Sequence, residues 1–405
     1  MGFWKQRQIE ELGRGYYSVS KHVCDQCVTD SFLQAVVRTN AENRKCDYCS
    51  RQEDNLIAAP LESILDEIVS AVKADWSDPD NEGIVFDSRE GGYQVELLSK
   101  EELFDEIEWP TENEQLMDDI VNAMVDDNWC ERSDSSYELA AARKTGWERF
   151  ASTVKYKTRY VFYREIATSP IHLDSGIPAH QRLQFFEETL QTVDLRKTFC
   201  AGQAFHRVRL HGTNEFPNTS ETLGPPPLDK TRTNRMSASG IPVFYGALDA
   251  ETALEEARIH ASAGQPMGTG STFRLLRPIS VLDFTALPEM PSAYDKARRE
   301  MRIELMFLYH FVTELSKRID MDGREHTEYV PTQILTEYIR HFHKLDSGDS
   351  VMGLIYPSSM QTGGKSIVLF LTASDCSDQG SENDHHTLVL ENYGTPTKLF
   401  EIDTA

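Results

Sequence analysis

The chain has 405 residues, 40% of them apolar and 26% charged, which is the balance of a soluble globular protein long enough for two or three domains. No apolar run approaches the ~18 residues of a membrane span, and the N-terminus MGFWKQRQIEELG has no apolar signal-peptide core, so no membrane partner and a cytoplasmic location are expected. The net charge of −24 speaks against a nucleic-acid partner, whose phosphates require a basic face.

Met1-Gly2 opens the chain, but Gln6 stands where a myristoylation signal needs Ser or Thr. The first chemical motif follows. Cys24 and Cys27 form C-D-Q-C, and Cys46 and Cys49 form C-D-Y-C, with eighteen residues between the pairs. Two C-x-x-C knuckles each supply two soft ligands to one tetrahedral Zn²⁺. Such a site is closed, so the metal is structural and helps fold a segment too small to hold its own core. A redox pair or buried thiols are the other readings of these cysteines. Cys130, Cys200 and Cys376 fit no ligand spacing and read as reduced thiols.

Residues 1–55 are taken as the zinc-binding segment and 56–198 as an acidic, mostly helical domain. From Leu56 to Ser135 there are 23 acidic against 4 basic residues, whereas Met1 to Asn55 carries 8 of each. Ile57, Leu61, Ile64, Leu65, Ile68 and Val72 recur with helical period, as do Leu116, Met117, Ile120, Val121, Met124 and Val125. Between them, Trp76 to Gly92 reads as a loop. The acidic residues fall mainly off the apolar faces, which suits a solvated surface better than a docking site. Helices are also expected over Trp147–Tyr163 and Pro178–Val193, packing on the C-terminal domain. Arg followed by four to six residues and His, the signature of many small helical ribonucleases, does not occur.

From Phe199 the texture changes to strands with helices between them, an α/β or α+β domain over 199–405. Strands are expected at Ala204–Leu210, at Ile241–Tyr245 between Gly240 and Gly246, as a pair around Ser271–Leu282, and at Gly353–Tyr356, Ile367–Thr372 and His386–Glu391. Helices are expected from Asp249 as cap, over Ser292–Arg318 and from Pro331. Asp375–His385 reads as an exposed loop. Arg235 before the strand, Tyr245 at its end and Glu256 in the following helix lie ten and eleven residues apart, and this strand–turn–helix unit gathers them into a candidate active site. Glu256 shares a helix face with Ala253 and Ile259, which leaves Glu255 to solvent.

The order RMSASGIPVFYGALDAETALEE, then Tyr329 to Gln333 (YVPTQ), then GLIYPSSMQTGGKSIVLF resembles the RES domain, named for its Arg, Glu and Ser motifs. The resemblance implies an ADP-ribosyltransferase-like fold with a mixed sheet and an enzyme that consumes NAD⁺, often as the toxin of a toxin–antitoxin pair. Matched residue by residue, it puts the family's Arg on Arg235, its Tyr on Tyr245, its Glu on Glu256, its Ser on Ser358 and the first-strand Arg on Arg207. Arg235, Tyr245 and Glu256 are thereby implied as catalytic, and Arg207, Arg235, Tyr245 and Ser358 as NAD⁺-binding. Where toxin members commonly read Gly-Arg-Trp, this chain has Asn234-Arg235-Met236. The cysteines and the run GWERFASTVKYKTRYVF resemble the zinc-containing HEPN/RES N-terminal domain.

The residue chemistry agrees with that resemblance. A pyrophosphate favours the planar fork of Arg. Nicotinamide leaves neutral, so no general acid is needed, and one carboxylate such as Glu256 can stabilise the ribosyl cation. Tyr245 can stack on the nicotinamide ring. The expectation is an NAD⁺ glycohydrolase or phosphorylase; a protein ADP-ribosyltransferase, or a non-catalytic zinc-ribbon adaptor that only binds a nucleotide, are the alternatives. Leu254 stands two before Glu256, where arginine-modifying transferases usually carry a second acid, which favours free acceptors. An antitoxin or regulatory protein and self-association stay open as partners.

Overall fold

The computed structural model describes residues 3–89, 92–107, 109–162, 182–318, 323–345 and 347–400. The chain forms two compact units, one of residues 1–141 with 289–304, the other of residues 142–288 with 305–405.

In the first unit, His22–Cys24 pairs antiparallel with Ala58–Pro60, and helices run over Ser31–Thr39, Glu62–Asp75, Lys100–Glu106 and Glu114–Ala123. Their apolar faces meet in one core that includes Leu33, Ile64, Ile68, Phe104, Ile120 and Trp129, together with Cys24, Cys27 and Cys46. Ile57 and Leu61, expected inside a helix, lie before it, because Ala58–Pro60 is a strand. The expected loop from Trp76 to Gly92 contains the short strands Trp76–Ser77 and Phe86–Asp87, the latter paired with Gly92–Tyr93. The last part of this unit, Glu289 to Glu304, brings Tyr294 into the same core and gives an Arg299 guanidinium N–H to the Ser70 carbonyl at 2.9 Å.

The second unit is built on a mixed sheet of ten strands: β1 (Arg196–Phe199), β2 (Ala204–His211), β3 (Phe244–Ala247), β4 (Met267–Leu275), β5 (Ile279–Asp283), β6 (Gly353–Pro357), β7 (Lys365–Leu369), β8 (Cys376–Asp378), β9 (Leu388–Tyr393) and β10 (Thr397–Lys398). Their order is β8-β9-β4-β2-β3-β7-β6-β5-β1, with β10 on β4. Pairs are antiparallel except β5–β6 and β8–β9. The helices that matter below are α1 (Ser136–Tyr156), α2 (Arg182–Thr192), α3 (Ala250–Arg258), α4 (Arg299–Ser316) and α5 (Val330–His341).

The register separates the two faces of the sheet. Phe244, Ile367, Leu369 and Ile355 share one face and join Phe205, Phe273 and Leu388 in a buried core. Tyr245, Ser366 and Tyr356 share the other. Beside the sheet, Trp147 of α1 and Phe186 of α2 pack edge-on against Phe311 of α4, at 5.3 and 5.2 Å between ring centroids. Helix α2 and the part of α1 from Ala142 onward therefore belong with the C-terminal sheet, although they precede it in the chain.

Several expected boundaries move. Strand β3 begins at Phe244, not Ile241, because Pro242 has no N–H to give to a ladder. Gly246 lies inside β3, where a Cβ would come within 2.8 Å of both the His206 carbonyl oxygen and the Phe244 ring. The strands around Ser271–Leu282 do not pair with each other; β4 lies between β2 and β9, and β5 between β6 and β1. Helix α4 starts at Arg299, since Asp295 turns the preceding segment by accepting from Ala297 N and Arg298 N. α1 starts at Ser136 and ends at Tyr156, and the expected helical residues Tyr163 and 178–181 lie outside the described residues. The expected loop after Asp375 contains β8.

Candidate active site and metal centre

Strands β2 and β3 pair only at His206 and Ala247. Beyond that bridge they part, and a cavity of about 760 Å³ is lined by Arg207 to Leu210 on one side and Val243, Tyr245 and Gly246 on the other. The volume is that of a small-molecule site.

Arg207 spans the opening. Its Nη1 donates to the Tyr245 carbonyl at 2.5 Å and its Nε to the Leu223 carbonyl at 3.0 Å. Burial, with Arg209 nearby, pulls its pKa down to about 9, so it remains cationic at neutral pH. The Tyr245 hydroxyl accepts from Met236 N at 2.9 Å, and burial pushes its pKa up to about 12. Tyr245 thus stays a neutral phenol whose ring is held in the cavity wall.

Met236 follows Arg235 in a tight turn closed by Asn234 N to Ser237 O at 2.9 Å and by the reverse bond at 3.3 Å. The Arg235 Nη2 donates to the Lys317 carbonyl at 2.6 Å and Nη1 to the Glu314 carbonyl at 3.4 Å, so the guanidinium satisfies carbonyls at the C-terminus of α4. It also lies 5.5 Å from the Tyr329 ring centroid. The first turn of α5 clamps this loop. The Gln333 amide faces Asn234 O at 2.7 Å, Thr233 Oγ1 at 2.8 Å and Ser237 O at 3.1 Å, and the Thr332 hydroxyl faces Arg235 O at 2.6 Å.

Helix α3 presents Glu256. Asp249 caps the helix by accepting from Thr252 N at 2.7 Å, as its sequence predicts. Glu256 Oε1 accepts from the Ser358 hydroxyl and from Ser359 N at 3.0 Å. Ser358 Oγ in turn accepts from Met360 N and Gln361 N at 3.1 and 3.0 Å. The turn between β6 and β7 docks on α3 through Gly364, where a Cβ would meet Thr252 Oγ1 at 2.5 Å. Glu256 Oε2 has no hydrogen-bond partner among the described residues. Glu255 is outside the cavity lining and pairs with Arg258 at 3.4 Å.

Arg207, Arg235, Tyr245 and Glu256 therefore line one cavity, and Ser358 sits behind Glu256. Sequence reasoning assigned no role to Tyr329, Tyr356 or Arg209, which also line it. The first two lie within quoted motifs, and Arg209 is two residues from Arg207 on the same strand, so each had a signal. Thr332 and Gln333 line up behind the loop instead.

The model of HEPN/RES N-terminal domain 1 matches residues 39–168, and that of the RES domain matches residues 205–391. The C-terminal region of the chain is a RES domain. No curated protein and no solved structure matches it. The RES family is associated with NAD-utilising enzymatic activity, and the whole cavity described above is built from the RES unit.

The cysteines form a separate centre in the first unit. The Sγ atoms of Cys24, Cys27, Cys46 and Cys49 all lie within 4.8 Å of one another. Cys24 is 3.8 Å from Cys27 and 3.6 Å from Cys49, and Cys27 is 3.7 Å from Cys46. Four sulfurs at the Zn–S distance of about 2.3 Å from one tetrahedral metal stand about 3.8 Å apart. The set has the spacing and the soft donors of a metal site, and none of the four is in a disulfide. Burial alone would push the Cys46 thiol up, but backbone N–H groups of Cys49, Tyr48 and Cys24 hold it below the ordinary range. That is the environment of a thiolate ligand.

Proposed function

We propose that the RES unit breaks the bond between nicotinamide and ribose in NAD⁺. The observation that carries this reading is the half-satisfied carboxylate of Glu256. Oε1 is fixed by Ser358 and Ser359, while Oε2 is left to the cavity. As the C1′–N1 bond breaks, its electron pair leaves with neutral nicotinamide and positive charge grows on the ribose. A fixed carboxylate oxygen stabilises that charge in the transition state. An acceptor oxygen then bonds to C1′; with water the products are ADP-ribose and a proton, and with phosphate, ADP-ribose phosphorylated on that same carbon. Tyr245 and Tyr329 offer aromatic faces for the nicotinamide ring. In this reading Glu256 is the catalytic residue, Ser358 positions it, and Arg207 and Arg235 frame the pocket. Leu254 two residues before Glu256 supports a free acceptor over a protein one.

Incubation of the pure protein with NAD⁺, with and without phosphate, should release nicotinamide and one of those two products. No nicotinamide release would overturn the reading. Expression in cells should lower NAD⁺ and slow growth, as for a toxin, and unchanged NAD⁺ would remove the toxin part alone. We further propose that the four cysteines hold one structural Zn²⁺.

A further inference from the structure

The cavity carries more positive charge than the bond-breaking end needs. Among the described residues, six cationic side chains line it, Arg207, Arg209, Lys230, Arg232, Arg235 and Arg318, against the carboxylates of Asp229 and Glu256. This stands out in a chain of net charge −24. Two of the six are already partly occupied. Arg207 gives two N–H groups to the carbonyls of Leu223 and Tyr245, and Arg235 gives two to those of Glu314 and Lys317. Arg209 differs. It is half-buried, faces the cavity, and its guanidinium has no hydrogen bond or ion pair among the described residues. Burial lowers its pKa; Glu215 opposes that at longer range without an ion pair, and Arg232 adds to it. A guanidinium with five donors unspent in a part-buried wall is costly unless an anion completes it. Arg232, on the loop after Lys230, also has no side-chain partner among the described residues and lies close enough to act on Arg209.

The charges also sort by position. Arg235 lies 5.5 Å from the Tyr329 ring centroid, and both it and Glu256 are near enough to act on Tyr329 and His260, so they share one part of the cavity wall. Arg209 lies with Arg207 and Arg232. We infer that Arg209 with Arg232 forms an anion subsite that takes the diphosphate of the dinucleotide, while the Arg235–Glu256 end receives the nicotinamide riboside. The inference rests on the NAD⁺ reading above for the identity of the ligand, but the anion subsite itself does not.

The test uses the full chain and three probes: inorganic pyrophosphate, ADP-ribose and NAD⁺. Calorimetric titration of Arg209→Gln should show ADP-ribose binding weakened by about tenfold or more, the scale of a lost charge-assisted bidentate contact. KM for NAD⁺ should rise in parallel with kcat within about threefold. Arg209→Lys, which keeps the charge without the fork, should recover part of the loss. Arg232→Gln, on an exposed loop, should weaken binding by about threefold to tenfold and decides the matter if Arg209→Gln does not fold. Arg235→Gln should weaken ADP-ribose binding less than Arg209→Gln does. Wild-type affinity in both Arg209→Gln and Arg232→Gln, or a wild-type protein that binds none of the three probes, overturns the inference. A wild-type protein that binds pyrophosphate and ADP-ribose through Arg209 yet releases no nicotinamide upholds the subsite and overturns the NAD⁺ reading instead.

Discussion

The four-cysteine cluster and the RES cavity use their polar groups in opposite ways. In the cluster every ligand atom points at one centre, and even the surrounding N–H groups of Cys24 and Tyr48 turn to the Cys46 sulfur, at 3.3 and 3.4 Å. A tetrahedral metal held by all four sulfurs would have no ligand position left for a substrate, and its binding free energy would go into folding. In the cavity the functional groups keep valences open. Glu256 is fixed through one oxygen, Arg207 and Arg235 through two N–H groups each, and Arg209 through none of its own. Closure marks a structural centre, and fixed groups with open valences mark a site that awaits a ligand.

The largest expected effect lies on the closed side. Native protein should carry about one zinc per chain by elemental analysis, and chelation or Cys46→Ser should unfold the region around residues 22–60. Apparent binding free energies of structural zinc run to about 10–16 kcal/mol, beyond what a segment of this size can replace. Amide exchange over those residues is the readout; unchanged protection without metal would erase the contrast with the cavity.

On the open side, Glu256→Gln preserves shape and removes charge. Turnover should fall by about 10²–10³, the scale of one well-placed electrostatic group, with thermal stability and ADP-ribose affinity close to wild type. Glu255→Gln, whose carboxylate pairs with Arg258 instead, should stay within about twofold, as expected of a surface change. Loss of turnover in Glu255→Gln with full turnover in Glu256→Gln would place the reacting face on the wrong side of α3.

Gln333→Met probes the clamp instead of the chemistry. It removes the amide from Asn234 O, Thr233 Oγ1 and Ser237 O in a buried setting, which should cost about 1–3 kcal/mol of stability. Because the loop carries Arg235, KM should rise as well. A variant with lowered melting temperature and unchanged KM would show that the loop keeps its place without the amide.

How much of this was legible in the sequence depends on distance along the chain. Helix α3 was, since Asp249 and Thr252 fix its start within four residues. The cysteine cluster was, because knuckle spacing alone brings the ligands together. The strand before α3 was misplaced by three residues because the apolar run IPVFY hides Pro242. The sheet order was not legible at all: β4 and β5 are neighbours in sequence and lie five strands apart. Nor were the contacts that arm the site. Gln333 meets Asn234 across 99 residues and Ser358 meets Glu256 across 102, and no local pattern records either. The motif order of the family put Glu256 and Ser358 on one roster, but only the turn at Gly364 against Thr252 explains their meeting.

That meeting gives the smallest and sharpest test. Ser358→Ala removes the hydroxyl donor to Glu256 and the acceptor for Met360 N and Gln361 N, yet Ser359 N still holds Oε1. The carboxylate therefore keeps its charge and one of its two donors, and loses part of its fixed orientation. A lost hydrogen bond to a charged group is worth about 1.5–3 kcal/mol, and the surviving donor should limit the loss to the lower end, about tenfold in turnover. If Ser358 acts through Glu256, the loss appears in kcat with KM unchanged, and Ser358→Thr, which keeps the hydroxyl, restores much of it. The two effects should also fail to add: in a Glu256→Gln background, Ser358→Ala should cost well under tenfold, since the charge it orients is gone. Additive losses, or a rise in KM alone, would mean that Ser358 meets the substrate directly.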